Sequence, residues 1–141
     1  VALPDCGLAV ANYLAGKTCG GVVLALGANL FAGPTRSIDR TPSEAVFCLE
    51  TGGAAPSPYL GTGRQAFYRA SVQVMVRGPV GEHQAGADLA RGVLETLNQA
   101  PVPGFVATFA RDSAPAYLGT DDDDRPSWSI NFELEHVATL G

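Results

Sequence analysis

The run Trp128–Leu134 alternates strictly. Trp128, Ile130, Phe132 and Leu134 are apolar, and Ser129, Asn131 and Glu133 between them are polar. Side chains on an extended chain point alternately to opposite faces, whereas a helix repeats about every 3.6 residues. The pattern therefore predicts a strand, over Ser127–Val137, with one buried and one wet face. A second run, Phe67–Arg77, behaves the same way. Tyr68, Ala70, Val72, Val74 and Val76 alternate with Arg69, Ser71, Gln73, Met75 and Arg77. Two half-buried strands of this length need a sheet whose apolar face is covered by other elements.

Two stretches can supply the cover. Residues 4 to 16 read as a helix, with Pro4 at its start, Asp5 placing negative charge at its N-terminus and Gly16 at its stop. Leu8, Val10, Ala11 and Leu14 form its apolar stripe. Residues 82 to 99 read as the longer helix, with Ala85, Leu89, Val93 and Leu97 at helical spacing and Pro101 and Pro103 beyond its end. Further strands are expected at Asn29–Ala32, Ala45–Thr51, Gly104–Ala110 and Ala114–Leu118. The last of these and Ser127–Val137 make Ala114–His136 a β-hairpin. Residues 35 to 44 and the stretch GGAAPSPYLGTGR (52–64) read as loops. With 141 residues, 46% hydrophobic and 16% charged, the chain suits one core and is not disordered. The expected architecture is a single α+β domain over 1–141, with a mainly antiparallel or mixed sheet and two helices packed on one face.

The net charge of −5 excludes a basic patch of the kind that grips nucleic acid without regard to sequence. Cys6, Cys19 and Cys48 are odd in number and widely spaced, which argues for reduced thiols rather than a disulfide framework or a zinc knuckle. No signal peptide is expected, and glycines interrupt the apolar stretch GGVVLALGANLFAG, which is too short to span a bilayer.

Four features could carry chemistry. The run Asp121–Asp124 invites a cation site, but an EF-hand loop alternates its acids and needs a glycine and a distant glutamate. Here the acids are contiguous and Arg125-Pro126 follows, so a solvated turn is the simpler reading. His83 and His136 have no nucleophile motif around them, and His83 is expected to be exposed and His136 half-buried. Gly20-Gly21, Gly52-Gly53 and Gly61-Thr62-Gly63 lack the GK[ST] ending of a phosphate loop and read as backbone turns. Arg64, Arg69 and Arg77 flank or line the Phe67–Arg77 strand. They fit either a solvated sheet face or a subunit interface that pairs them with a neighbour's carboxylates. No catalytic, cofactor or metal set emerges. A metal-dependent hydrolase would need ligands at defined spacing, and a ligand-binding module would rest on the long loops alone.

The segments VQVMVR (72–77), Ala85–Gln99, PAYLGTDDDD (115–124) and RPSWSINFE (125–133) resemble the tail terminator or minor capsid family of long-tailed bacteriophages. ANYLAGK, NLFAGP and EAVFCLETGG fit the same order. The resemblance implies a non-enzymatic virion protein without cofactor, assembled in the host cytoplasm. It implies a ring, commonly of six copies, on the head-proximal end of the tail tube. That ring ends tube polymerisation and joins the DNA-filled head, and its partners are the tube protein and a connector or neck protein. A neck or head-closure component bound to the portal adaptor is the alternative. Family members often carry a glycine inside the aspartate turn, and here Asp124 and Arg125 stand in its place. Two further expectations follow. Asp121–Asp124 bias the ring lumen against sticking to passing DNA, and the 52–64 loop orders on contact with the tube or neck.

Overall fold

The computed structural model describes residues 3–33, 44–58 and 64–140. The alternating runs become the longest strands, β6 (Arg64–Arg77) and β9 (Pro126–Leu140), paired antiparallel from Arg64↔Leu140 to Arg77↔Ser127. Around this ladder lie β3 (Leu30–Ala32), β4 (Ala45–Gly53), β5 (Ser57–Pro58), β7 (Ala107–Ala110) and β8 (Ala116–Thr120). The sheet runs β3-β4-β6-β9-β7, with β5 beside β6 and β8 beside β9. Only the β3–β4 pairing is parallel, so the sheet is mixed and the fold is α+β.

Helix α1 (Cys6–Leu14) starts one residue after Asp5, whose side chain accepts the Leu8 N–H at 3.0 Å. That bond satisfies one of the free donors of the first turn and makes Asp5 the N-cap. The buried stripe is Cys6, Gly7, Val10, Ala11 and Leu14. Leu8, expected on that stripe, is 39% exposed, because the face turned to the sheet runs through Cys6, Val10 and Leu14 at helical spacing and Leu8 lies off it. Helix α2 (His83–Leu97) buries Gly86, Ala87, Leu89, Ala90, Val93 and Leu97, and Ala85 falls at the margin.

Both helices meet one sheet face. Val10, Leu14, Leu89, Val93 and Leu97 join Val46, Cys48, Val72, Val74, Val76, Trp128, Ile130, Phe132 and Leu134 in one apolar cluster. Burying side chains of this size stabilises the fold by about 1.5–3 kcal/mol each before entropy is counted. The close approach of α2 to the sheet depends on Gly86, where an added Cβ would stand 2.4 Å from the Trp128 ring.

Three expectations need correction. An unforeseen hairpin of β1 (Thr18–Cys19) and β2 (Val22–Val23) turns through Gly20 and Gly21, both at positive φ, and packs on α2. Positive φ at both turn positions is what a type I′ two-residue hairpin requires, and Gly-Gly meets it without strain. Next, β4 runs on to Gly53, Ser57–Pro58 forms β5 and Arg64 opens β6, so parts of the 52–64 stretch are strand, with residues 54–56 a loop as expected. A register shift between Glu50 and Gly53 interrupts the β4–β6 ladder, which resumes at Gly53↔Ala70, and β5 continues the pairing with β6. Residues 59–63 of that stretch, and residues 35–43 of the other expected loop, lie outside the described residues. Finally, the two short strands start later than expected, at Ala107 and Ala116.

Candidate assembly surface

The expected hairpin forms, with β8 and β9 paired through Tyr117↔Trp128 and Thr120↔Pro126. Its tip shows what the aspartates do. Asp121 Oδ1 accepts the backbone N–H groups of Asp123 and Arg125, both at 3.0 Å. Asp121 Oδ2 accepts Arg125 Nε at 2.8 Å, and Asp123 Oδ2 accepts Arg125 Nη2 at 3.1 Å. Burial pushes the Asp121 carboxyl up, but the hydrogen bonds from Arg125 and Asp123 and the Arg125 charge outweigh it and hold it below the usual value. Asp124 sits at φ 59°, a conformation that favours glycine and that Asp tolerates better than most residues. The turn thus keeps a glycine-like geometry without a glycine. Among the described residues, no three His, Cys, Asp or Glu side chains converge as a metal-ligand set.

The three arginines of β6 do not form one patch. Arg64 is exposed at the start of the strand. Arg69 is exposed, its guanidinium 5.8 Å from the centre of the Phe67 ring. Arg77 was expected on a wet face, but it is only 4% exposed. It lies on the sheet face opposite the helices, 5.3 Å over the Phe47 ring, which in turn stacks on Phe31. Burial lowers the Arg77 pKa most and the nearby Arg125 charge adds to this, while Asp121 and Asp123 act the other way. The aspartate tip therefore pairs with the inward Arg125 and lies near Arg77, which leaves Asp122 and Asp124 facing solvent.

His136 is buried at 4%, deeper than expected. Its ring stacks on Tyr68 at 5.1 Å and meets Phe105 edge-on at 5.4 Å. Burial lowers its pKa, and Glu50 partly opposes the shift. His83 is exposed as expected, but it is not isolated. It contacts Tyr117 at 4.9 Å and Trp128 at 5.1 Å, and these two rings also meet each other. The three aromatics come from α2, β8 and β9, and spacing along the chain carries no signal of their meeting. Cys6, Cys19 and Cys48 are all free and buried. Burial drives Cys6 and Cys48 up to about 12, so neither thiol is poised as a nucleophile.

One sheet margin is open. β7 and β8 both lie on the side of β9 away from β6, one after the other. Between them the Asp112 carboxylate accepts the Asn131 backbone N–H at 2.7 Å and so replaces a missing strand partner. Phe109 on β7, with Tyr117 and Leu118 on β8, leaves 41%, 50% and 54% of its surface exposed along this margin. Leu118 is the extra residue of a β-bulge between Tyr117 and Gly119. An open sheet edge with apolar side chains is a surface for pairing with another chain.

The fold is a mixed α+β sheet that carries an exposed apolar margin along β7 and β8. The chain belongs to the bacteriophage tail terminator protein family, whose match spans residues 28–137, and is a structural protein of the phage tail. The match runs from just before β3 into β9 and leaves α1, with its ANYLAGK segment, and the β1–β2 hairpin outside. Comparison with curated proteins returns no match. Among the described residues, no helix is long and apolar enough to cross a membrane.

Proposed function

We propose that this protein is a single tail-terminator domain that assembles as a ring of six copies on the head-proximal end of the tail tube. There it ends tube polymerisation and presents the surface to which the connector or neck protein of the filled head attaches. The work is mechanical, without catalysis or cofactor. The observation that carries this reading is the family match over 28–137. The open margin of β7 and β8 supports it, because a closed ring covers such edges where an open chain would leave one free. Arg64 and Arg69 belong to the subunit interface in this reading. Arg77, buried over Phe47, is left out of that interface in this reading. The charge of −5 suits a channel through which genomic DNA slides without sticking, with the exposed carboxylate of Asp122 on its rim.

Electron microscopy of particles made without the protein tests the assignment. Overlong tails without heads are expected. Tails of normal length that lack heads would instead assign the protein to head closure at the neck.

A further inference from the structure

We propose that the ring closes head-to-tail, with Arg64 of each copy seated in the cleft between His83, Tyr117 and Asp124 of the next. This rests on the ring reading above.

The cleft has a volume of about 210 Å³ and is lined by Gly81, His83, Tyr117, Thr120, Asp124 and Pro126. Its walls are the His83 and Tyr117 rings, packed on Trp128. Aromatic faces attract cations, and a planar guanidinium stacks on them while pairing with a carboxylate at its edge. Asp124 supplies that carboxylate. Glu82 caps α2 beside the cleft without a side-chain cap bond, and Glu44 is close enough that Glu82 raises its pKa, after burial. Among the described residues, these three carboxylates outweigh the roughly half positive charge of the α2 N-terminus, so the cleft favours a cation.

None of the described lysines or arginines lines the cleft. Lys17 lies over Tyr13, Arg91 pairs with Asp88, Arg125 is held by Asp121 and Asp123, Arg77 is buried and Arg69 lies over Phe67. Arg111 sits on the same sheet margin as Tyr117, between β7 and β8. Arg64 is exposed and lies at the opposite end of β6 from the cleft, where a neighbouring copy can present it. The fourteen residues of β6 place these two ends roughly 45 Å apart. A ring generated by rotation needs two different complementary patches on each copy, and patches at opposite ends of one rigid ladder meet that need. A two-fold dimer would instead bury the same patch twice.

Native mass spectrometry of the full chain, alone and bound to tail tubes, tests this with R64A and Y117A. Arg64 is exposed, so R64A should melt as wild type does; Y117A removes a ring packed on Trp128 and should lower the melt, with R64Q and Y117L as the milder alternatives if either does not fold. Wild type is expected as a ring and each variant as a monomer. An equimolar mixture should stop at a dimer, because only one intact arm and one intact cleft can meet. Rings of unchanged mass and salt stability from R64A, or rings from the mixture, would overturn the arm-in-cleft contact and leave the ring reading standing. No ring from wild type, alone or on tubes, would overturn both.

Discussion

Asp121 holds Arg125 with both carboxylate oxygens. One accepts the Arg125 backbone N–H at 3.0 Å and the other accepts Nε at 2.8 Å. The side chain of Arg125 is only 10% exposed, so it relies on this partner for the solvation it has lost. Asp121→Ala should therefore destabilise the fold by about 1–3 kcal/mol, the usual cost of stranding a buried charged donor. Asp122 has no such duty, and Asp122→Ala should stay within about 0.5 kcal/mol of wild type. Urea unfolding of the two variants measures the contrast.

The same contact has a pH signature. The folded Asp121 carboxyl lies below its ordinary value of 3.8. Its stabilisation is fully present above that value and is lost as pH falls through the lower, folded value. The stability gap between wild type and Asp121→Asn should accordingly be largest near neutrality and close in acid below pH 3.8. A gap that stays constant into acid would show that the charge of Asp121 is not what holds Arg125.

Asp124 tests the backbone of the turn. At φ 59° a β-branched residue is strained, whereas glycine is not. Asp124→Val should lower stability by about 1–2 kcal/mol. Asp124→Gly should stay close to wild type or gain a few tenths. Paired thermal melts distinguish the two.

Gly86 is required by packing rather than by conformation. A methyl group there would meet the Trp128 ring at 2.4 Å and the Gly78 backbone at 3.0 Å. Overpacking costs about 1–3 kcal/mol, and the gain in helix propensity returns at most about 1. Gly86→Ala should be net destabilising and should change the emission of Trp128, the only tryptophan.

His136 predicts a second, milder pH dependence. Its folded pKa lies below the ordinary 6.5, so the fold favours the neutral ring. Stability should be complete above pH 6.5 and decline as pH falls from there to the folded value. His136→Phe keeps a ring to stack on Tyr68 and should remove this part of the pH profile. Urea midpoints on either side of pH 6.5 provide the check.

The alternation in Phe67–Arg77 and Trp128–Leu134 determined the two central strands and the face each buries. A period of two assigns every side chain to a side without reference to any partner. The α2 stripe was legible for the same reason. Period alone does not reveal which strand lies beside which, or what stands above a polar face. Arg77 therefore read as a wet residue, although the pairing brings it over Phe47 and beside the aspartate tip, where it is buried. Asp121–Asp124 read as one acidic run, yet hydrogen-bond geometry divides it. Two carboxylates bind Arg125, one residue makes the turn at positive φ, and Asp122 is left to solvent. The His83–Tyr117–Trp128 cleft left no trace in the sequence, because its three rings come from three elements that only the packing of α2 on the β8–β9 hairpin brings together.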